Sequence, residues 1–531
     1  MWWEDGVVYQ VYPFSFQDGN GDGIGDLPGV IDRLDYPAET LGVDAVWLSP
    51  FYRSPMDDFG YDVADYCDVD PIFGSLGDAE RLIAEAHRRG LRVILDFVPN
   101  HSSSEHPWFV ASRSSRSNPK RDWYTWRDPA PGGGPPNNWL SVFGGPAWEW
   151  DEATGQYYLH SFLASQPDLN WRNPEVRRAM YDAMRFWLDR GADGFRFDVV
   201  HYVMKDPGLR DDPVVEASGP GVFKDLGEYD SLVHLHDKGH PDVHEVLREI
   251  RRVVDAYPGR YTVGEIHVLE PAALAAYYGR SEGDGLHMPF NFTLLYAPWE
   301  AAEFRRRVDE FEAVVPAHGW PNYVLGNHDE PRLATRFGPG RARVAMMLLL
   351  TLRGTPTIYY GDELGLPEVE IPPERQQDPW GLRVPGLGRD GCRTPMPWDR
   401  SANAGFCPEG VEPWLPQGPA AAERSVAAQL EDPSSMLNLV RHLLRLRRRE
   451  PALHRGEYRA LDEAPEGCYA FLRSVADGGP GFVVALNFTD RELEVPGVGG
   501  EVVADTGMHR VGERAGPVLA LGPDEGVVVA V

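Results

Sequence analysis

The chain has 531 residues, of which 42% are apolar and 25% charged, as in soluble globular proteins. This length can bury a large core and contain more than one domain. Lys and Arg number 51 against 81 Asp and Glu, a formal net charge of −30. Such a field repels nucleic acid and anionic membranes, so we expect neither as a partner and favour a small neutral ligand.

The chain begins with Met1–Gly6, which has no basic segment followed by an apolar one, so we predict no signal peptide. The most apolar stretch, Ala345–Leu352, is too short to cross a bilayer. Four scattered cysteines without C-x-x-C spacing fit a reducing cytoplasm. We expect no organic cofactor, and the sequence leaves a monomer and a dimer both open.

Short apolar runs alternate with amphipathic helical patterns along most of the chain. Eight runs have strand character: Val7–Val11, Ala45–Leu48, Val93–Phe97, Gly194–Val199, Thr262–Ile266, Met288–Phe292, Tyr323–Gly326 and Thr357–Tyr360. The helix candidates are Leu76–Arg89, Pro174–Arg190, His244–Tyr257, Arg341–Leu352 and Met436–Glu450. Alternating strands and helices indicate parallel βα units, and eight such units predict a closed (β/α)₈ TIM barrel, an α/β fold.

Three segments depart from this alternation. Residues 101–171 are rich in Pro, Gly, Asn and Trp and predict a subdomain inserted after strand 3. A second irregular stretch, about 366–416, predicts a loop subdomain after strand 8. Short β-type runs in 451–531 predict a C-terminal antiparallel β-sandwich domain. The barrel would then comprise 1–100 and 172–450.

Carboxylates and imidazoles follow four of the predicted barrel strands. In barrels of this type the catalytic groups project from the C-terminal strand ends. The third strand leads into Asp96 and His101, the fourth into Asp198, the fifth into Glu265, and the seventh into His328 and Asp329. Any one of them could simply cap a strand, but converging like charges cost energy unless function requires them.

Two of these acids suit glycoside hydrolysis, which needs one protonated and one ionised carboxyl group. Arg196 and Asp198 point to the same face of a strand, so the guanidinium should lower the pKa of Asp198 and favour it as nucleophile. Glu265 ends an apolar strand near other carboxylates, which should raise its pKa and suit a general acid. Asp329 and His328 would grip sugar hydroxyl groups.

Together these motifs, in this order, resemble those of the α-amylase superfamily, glycoside hydrolase family 13, and especially its α-glucosidase and oligo-1,6-glucosidase branch. The resemblance runs from Val8–Pro13 to the β-rich tail. It implies a retaining double displacement with Asp198 as nucleophile, Glu265 as acid/base and Asp329 as stabiliser of the transition state.

The resemblance also implies a set of sugar contacts. Asp62, after Tyr61, resembles the acid that holds the non-reducing glucose, and Arg393 resembles its arginine partner in exo-acting members; together they would close the pocket behind a terminal glucose. The remaining contacts it implies are His101, Gln166 and Arg196. Phe143 and Phe162 could line the sugar pocket or equally pack the core of the insertion.

The segment Asp18–Asp26 places oxygen ligands at alternate positions, as in the first nine positions of a calcium-binding loop. The ligands would be the side chains of Asp18, Asn20, Asp22 and Asp26 and the carbonyl of Ile24. The twelfth position is Gly29 rather than glutamate, so the match is incomplete. We predict a structural Ca²⁺ or Mg²⁺ there; a plain Asp/Asn/Gly turn is the alternative.

The preferred linkage is left open by two signals that disagree. Val199, next to the nucleophile, resembles α-1,6-cleaving members, whereas the context Val199–Tyr202 and Asp225–His240 resembles bacterial enzymes that prefer short α-1,4 substrates. A sugar isomerase or transglucosylase would use the same acids. A non-catalytic binding protein would be expected to have lost the acids, and an endo-acting amylase disagrees with a closed pocket.

Overall fold

A computed structural model describes residues 1–215, 226–476 and 478–531. Seven parallel strands of this described chain form one curved sheet, in which each of the first five pairs with the next along the chain and the seventh pairs with the first. The strands are Val8–Val11, Ala45–Leu48, Arg92–Phe97, Gly194–Phe197, Tyr261–Gly264, Met288–Pro289 and Thr357–Tyr359. The first strand pairs with the last one as well as with the second, so the sheet curls into a ring.

The ring is completed by Tyr323 and Val324. Tyr323 makes a single parallel bridge to Asn291, and Val324 makes one to Thr357. The predicted strand Tyr323–Gly326 is therefore reduced to isolated bridges, because the next carbonyl, that of Leu325, accepts from the Arg336 guanidinium instead. The predicted α/β barrel is confirmed.

Helices return the chain from one barrel strand to the next. The longest are Leu76–Arg88, Pro174–Asp189, Val243–Asp255, Ala301–Glu312, Pro339–Thr351 and Met436–Arg449. The other α-helices are Trp2–Asp5, Pro13–Phe16, Leu27–Asp32, Pro107–Ser114, Pro271–Ala275, Leu333–Phe337, Pro379–Arg383, Val426–Glu431 and Pro451–His454. Helix Leu76–Arg88 begins where Ser75 caps it, and its Leu82, Ile83 and Ala86 are buried, as an amphipathic pattern requires.

Residues 101–171 contain a small antiparallel sheet of Trp126–Arg127, Trp148–Asp151 and Gln156–Leu159. An isolated antiparallel bridge joins His101 to Asp168 at the two ends of this segment. The bridge returns the chain to the barrel beside its starting point and brings both ends to the rim. Residues 366–416 contain only short helical turns and the helix Pro379–Arg383.

After the barrel, antiparallel strands dominate, as the sequence predicts. A six-stranded sheet contains Glu457–Ala460, Cys468–Ser474, Phe482–Asn487, Gly526–Ala530, Gly500–Asp505 and Arg514–Ala515. Leu493–Pro496 pairs with Val518–Leu521 in a separate sheet, and Tyr52–Arg53 pairs with Asp65–Val69 near the barrel rim. The domain boundaries stay predictions. Within the described chain, no helix is long and apolar enough to cross a membrane.

Candidate active site

The three acids singled out in the sequence meet at one end of the barrel. Asp198 directly follows strand Gly194–Phe197, Glu265 follows Tyr261–Gly264, and Asp329 follows the bridge residue Val324. All three line a cavity of about 450 Å³. Parallel barrel strands present their C-terminal ends on one face, so the shared location follows from the fold. The cavity has the size of a small-molecule site.

Arg196 holds three carboxylates together beneath this cavity. Its Nη1 donates to Asp96 Oδ1 and to Asp198 Oδ1, both at 2.8 Å, and its Nη2 donates to Glu265 Oε2. The register explains the contact with Asp96, because Arg196 stands opposite that residue in the neighbouring strand. Asp96 was not assigned a role from the sequence, and the structure makes it the third anchor of this arginine.

The pKa shifts of Asp198 and Glu265 run in the opposite directions to the sequence expectation. Burial raises the pKa of Asp198 well above its usual value; Arg196 lowers it, and the negative charges of Glu265 and Asp96 add to the rise. Burial also opposes ionisation of Glu265, but Arg196 and His267 reverse its effect and hold the pKa well below its usual value. His267 contributes through Nε2, which lies 2.7 Å from Glu265 Oε1.

The opposite directions of the two pKa shifts favour a pair that shares one proton, held more strongly by Asp198 than by Glu265. A retaining reaction needs the same number of protons but places the proton on Glu265. The backbone N–H of Val199 donates to Glu265 Oε2 at 3.2 Å, so the chain directly after Asp198 also contacts the second acid. One proton transfer between neighbours would bring the pair into the reactive state.

Asp329 is held as a carboxylate by two arginines, and His328 lies beside them. Arg393 Nη2 lies 2.9 Å and Arg389 Nη1 3.1 Å from its Oδ1, and His328 Nε2 lies 3.3 Å from its Oδ2. Burial alone would raise its pKa, but His328 and the two arginines hold the pKa well below its usual value. The charge is thus fixed in the cavity before any ligand arrives.

His328 is a neutral donor in a chain of hydrogen bonds. Burial lowers its pKa to about 3. Its Nδ1 lies 2.8 Å from the Gln10 amide nitrogen, which can only donate, so Nε2 carries the hydrogen and donates to Tyr61 Oη at 2.6 Å. Tyr61 in turn donates to Asp96 Oδ2 at 3.0 Å. The rings of Tyr61 and His328 are stacked, with centroids 5.4 Å apart.

The predicted pair of Asp62 and Arg393 is wrong. The carboxylate of Asp62 accepts from the Ser54 hydroxyl and from the backbone N–H groups of Asp57 and Asp58, at 2.8 to 3.0 Å. It is fully buried and stabilises its own turn. Arg393 instead donates to the His328 carbonyl and to Asp329. Asp62 is thus bonded within its own turn, and Arg393 is bonded to His328 and Asp329, so the two residues do not pair.

An equivalent pair is formed by Asp58 and Arg389, four residues earlier in each segment. Arg389 Nη2 lies 2.8 Å from Asp58 Oδ1, and both residues line the cavity beside Asp329. Asp378 Oδ1 holds the other side of the guanidinium at 2.6 Å, and Gln166 Nε2 donates to Asp58 Oδ2 at 3.0 Å. Gln166 therefore acts behind the cavity wall, where it positions Asp58 and contacts His101.

Residues 10–456 match the family described as Alpha amylase, catalytic domain. The chain belongs to the alpha-amylase family. A probable alpha-glucosidase of Rhizobium meliloti (strain 1021) is 47% identical over 487 residues, covering 89% of this chain and 87% of that protein. An oligo-1,6-glucosidase of Parageobacillus thermoglucosidasius is 40% identical over 528 residues, covering 92% and 91%.

Solved structures agree with this assignment. The crystal structure of the alpha-glucosyl transfer enzyme XgtA has a TM-score of 0.92 at 43% identity and covers 100% of this chain and 99% of its own. The trehalulose synthase MutB from Pseudomonas mesoacidophila MX-45 has a TM-score of 0.88 at 36% identity and covers 100% and 99%. The predicted family and its enzyme class, the glycoside hydrolases, are confirmed.

Aromatic side chains form one side of the cavity of this alpha-amylase family enzyme. Phe143, Phe162 and His101 all line it. The Phe162 ring lies 5.1 Å from His101 and 5.9 Å from Phe143, measured between centroids, and Phe143 packs at 5.1 Å against Trp380. The sequence left open whether the two phenylalanines line the pocket or pack inside the insertion; in the structure they pack against each other and also line the cavity.

A further part of the cavity wall comes from the long connection after the fourth barrel strand, whose Tyr202 packs against Phe162 at 5.3 Å between ring centroids. Its cavity-lining residues are Tyr202, Leu226, Tyr229, Leu232, Val233, His234 and Lys238. Of the predicted segment Asp225–His240, only Asp225 lies outside the described residues. The sequence analysis used Val199–Tyr202 and Asp225–His240 only as clues to linkage and did not assign these residues to the cavity wall. The connection has no regular period: within its described part the helical turns Val200–Tyr202 and Gly227–Ser231 are short.

Val199 has an unusual backbone for a β-branched residue. Its φ of 31° and ψ of 43° lie in the left-handed region, which costs conformational energy. The conformation turns the chain sharply after Asp198, so the Val199 side chain lines the cavity and its N–H reaches Glu265. The strain therefore lies beside the two acids.

The loop Asp18–Asp26 folds around its own oxygen atoms. Asp18 Oδ1 accepts from Asn20 N at 3.1 Å, Asp22 Oδ1 accepts from Ile24 N at 2.9 Å, and Asp26 Oδ1 accepts from Gly29 N at 2.7 Å. Within the described part of the chain, Asp26 Oδ2 is buried without a hydrogen-bond partner, and burial together with nearby carboxylates raises the pKa of Asp26. A buried free oxygen among further oxygen donors fits a hard cation.

Proposed function

We propose that this enzyme is an exo-acting, retaining α-glucosidase that releases terminal glucose from short α-glucosides. The main observation in support of this proposal is the Asp58–Arg389 ion pair, which lines the cavity together with the three acids. Charged groups at this position can bind the hydroxyl groups of a terminal sugar. The relatives named α-glucosidase and oligo-1,6-glucosidase support the same substrate class.

In the proposed reaction, Asp198 attacks the anomeric carbon while Glu265 protonates the leaving oxygen. A covalent glucosyl–enzyme intermediate results, and Glu265 then takes a proton from the water that releases glucose. The ionised Asp329 sits where positive charge develops on the sugar ring. Tyr61 and His328 keep Asp96 and Arg196 in place through their hydrogen bonds.

The test is product analysis with maltose, isomaltose, sucrose, trehalose and nitrophenyl α-glucoside. Asp198→Ala and Glu265→Gln should each lower kcat by at least about a thousandfold and leave the circular dichroism spectrum unchanged. Glu282→Gln, at an exposed position, serves as control. Near wild-type turnover of either active-site variant would refute the assignment, and rapid loss of starch–iodine colour would indicate an endo-acting enzyme instead.

A transglucosylase or sugar isomerase is the second candidate, and the close structural match to XgtA and MutB favours it. Such an enzyme would form the same intermediate and pass glucose to a sugar rather than to water. Product analysis separates the two: free glucose indicates hydrolysis, and a rearranged disaccharide indicates isomerisation.

For the linkage, we infer activity on both α-1,4 and α-1,6 disaccharides, with Val199 as the residue that tunes the ratio. Its side chain lies in the cavity directly after Asp198. Val199→Thr keeps the shape but adds a hydroxyl group, so we expect the ratio of maltose to isomaltose kcat/KM to rise severalfold. An unchanged ratio would show that Val199 does not determine the preference between α-1,4 and α-1,6 linkages.

We also propose that the loop Asp18–Asp26 holds a structural Ca²⁺ or Mg²⁺ through Asp18, Asn20, Asp22, Asp26 and the Ile24 carbonyl. The buried, unpartnered Asp26 Oδ2 supports it. Gly23, at φ 90°, fits the sharp turn, since a Cβ there would lie 2.2 Å from the Glu412 carbonyl oxygen. For location we propose the cytoplasm, because all four cysteines are free thiols.

A further inference from the structure

A second polar cluster lies in the connection after the fourth barrel strand, apart from the catalytic acids. It consists of Asp212, His234 and Asp237, which each offer one ligand atom within 4.8 Å of the others. Asp212 is 2% and Asp237 5% exposed, and the His234 side chain is 8% exposed. Neither of the proposed catalytic steps uses these residues.

Two carboxylate oxygens of the cluster, Asp212 Oδ2 and Asp237 Oδ1, are buried without a hydrogen-bond partner among the described residues. The other oxygen of Asp212, Oδ1, fixes the side chain, because it accepts hydrogen bonds from the N–H groups of Leu235 and His236 at 2.7 Å. Buried acceptors without a donor cost free energy, and two like charges raise that cost. The pair therefore requires a cation or an added proton.

The histidine is oriented as a metal ligand. Nε2 of His234 lies 2.8 Å from the Tyr229 carbonyl oxygen, which can only accept, so Nε2 carries a hydrogen. Nδ1 lies 2.6 Å from Asp237 Oδ2, so a proton joins these two atoms unless a metal ion takes its place. Histidines that bind metals commonly donate their second N–H to a backbone carbonyl in this way. Tyr229 also stacks on the imidazole at 3.8 Å between centroids.

We propose that Asp212, His234 and Asp237 bind one Zn²⁺ ion. Two carboxylates and one imidazole match the three protein ligands of many zinc sites, in which water takes the fourth position. Two negative charges would be neutralised by the ion. An imidazole ligand favours Zn²⁺ over Ca²⁺ or Mg²⁺, which prefer oxygen alone.

Other charged groups around the cluster are Lys238, Asp230 and His236. Lys238 is the main opposing charge, and its pKa is lowered by burial although Asp237, Asp230 and Asp212 counteract this. Lys238 Nζ is held away by the hydroxyl groups of Tyr229 and Tyr202, at 2.9 and 3.2 Å. The ammonium group is thus directed to the tyrosines rather than into the cluster.

The ion would join residue 212 to residues 234–237, which carry one wall of the catalytic cavity. Leu232, Val233, His234 and Lys238 all belong to that wall. Zinc at this position would therefore fix one wall of the catalytic cavity. Its binding is measurable without any activity assay, so the result does not depend on the proposed function.

The experiment is calorimetric titration of Zn²⁺ into the metal-stripped full-length protein in excess Ca²⁺, added to fill the proposed site in the loop Asp18–Asp26. A second acidic cluster of Asp505, His509 and Glu525 could also take Zn²⁺, so the titration uses a His509→Gln background. We expect one bound ion, with affinity lowered at least tenfold by Asp212→Asn. The control Asp211→Asn alters an exposed neighbour and should keep the affinity.

Co²⁺ provides a second readout on the His509→Gln protein itself, should Asp212→Asn fail to fold. Visible absorption of a four-coordinate site with one imidazole is expected, and Zn²⁺ should displace it. Absence of Zn²⁺ binding in this background, or equal affinity in folded Asp212→Asn and Asp211→Asn proteins, would overturn the proposal and leave a proton shared by His234 and Asp237.

Discussion

Arg196 explains how three acids can be buried together at the barrel rim. Its guanidinium reaches Asp96, Asp198 and Glu265, and side-chain exposure of Arg196 is 2%. The planar fork of arginine supplies several donors at fixed angles, which lysine cannot do. Since the cluster contains more negative than positive charge, simultaneous ionisation of all three acids is disfavoured, and burial raises the pKa of Asp198 in agreement with this.

At the residue scale, Asp58→Asn should raise KM for maltose and isomaltose at least tenfold. The substitution removes one charge of the pair that borders the cavity and leaves Arg389 with Asp378 and Asp329. Michaelis–Menten kinetics on purified protein test this. Thermal unfolding of the same sample shows whether the buried arginine has also lost stability.

Asp57→Asn is the matched control, because the side chain of Asp57 is exposed and the ion pair with Arg389 is made by the adjacent Asp58. It should leave KM unchanged. Equal KM values for the two variants would show that the ion pair does not bind the sugar.

Glu363 predicts a pH dependence of stability. It is fully buried, accepts from the hydroxyl groups of Tyr9 and Tyr36 and from Gly361 N, and has its pKa raised to about 7 by burial. Between pH 4.5 and 7 the unfolded carboxyl loses its proton while the folded one keeps it. The free energy of unfolding contributed by this group therefore falls as pH rises through that window.

Glu363→Gln lacks this titration. Relative to the variant, the wild type should lose about 3 kcal/mol of unfolding free energy between pH 5 and pH 8. Urea denaturation at a series of pH values measures the difference. Parallel pH profiles of the two proteins would contradict the raised pKa.

At the scale of elements, the strands and helices were predictable, but the turns that complete the site were not. Alternation of short apolar runs with amphipathic segments locates the barrel strands, and each strand end places Asp198, Glu265 or Asp329 at the rim. Asp58 lies four residues before Asp62 in one turn, and Arg389 lies four residues before Arg393 in another. Which member faces the cavity depends on backbone hydrogen bonds such as Asp58 N to Asp62 Oδ1, and no periodic signal encodes them.

The cation loop gives a prediction at the same scale. Because Asp26 begins helix Leu27–Asp32 as its N-cap, a cation at the loop would stabilise the start of that helix. Adding EDTA should lower Tm by roughly 5 °C, as for a ligand bound far above its Kd. Added Ca²⁺ should restore it, and differential scanning fluorimetry measures both shifts.

Asp18→Asn should show the lower Tm without EDTA and no further shift with it. Asp32→Asn, at an exposed position on the same helix, should behave as wild type. An EDTA shift equal in all three proteins would assign the effect to another site.

On the scale of the whole molecule, the C-terminal sheet and the barrel share one apolar core. Phe488 of the sheet stacks on Trp299 with centroids 4.3 Å apart and contacts Phe304 at 5.1 Å. Buried Arg473 donates to the Gly456 carbonyl and to that of Thr351 at the end of helix Pro339–Thr351. Such continuity predicts that the chain unfolds in one cooperative step.

Phe488→Ala tests this coupling. The truncation should cost about 3 kcal/mol or more and lower the single transition as a whole. Val518→Ala, at a position 48% exposed, should change little. Scanning calorimetry that shows two separated transitions in the wild type, or a shift of only one part in the variant, would contradict a shared core.

The ion pair of Asp58 and Arg389 also has a kinetic consequence. If the terminal glucose ends against this pair, it enters and leaves through the same mouth, and the remainder of the substrate must leave first. Each chain then dissociates after every cleavage, so degradation is distributive rather than processive. Glucose would leave last and compete with new substrate for the same place, which makes the product a competitive inhibitor of its own formation.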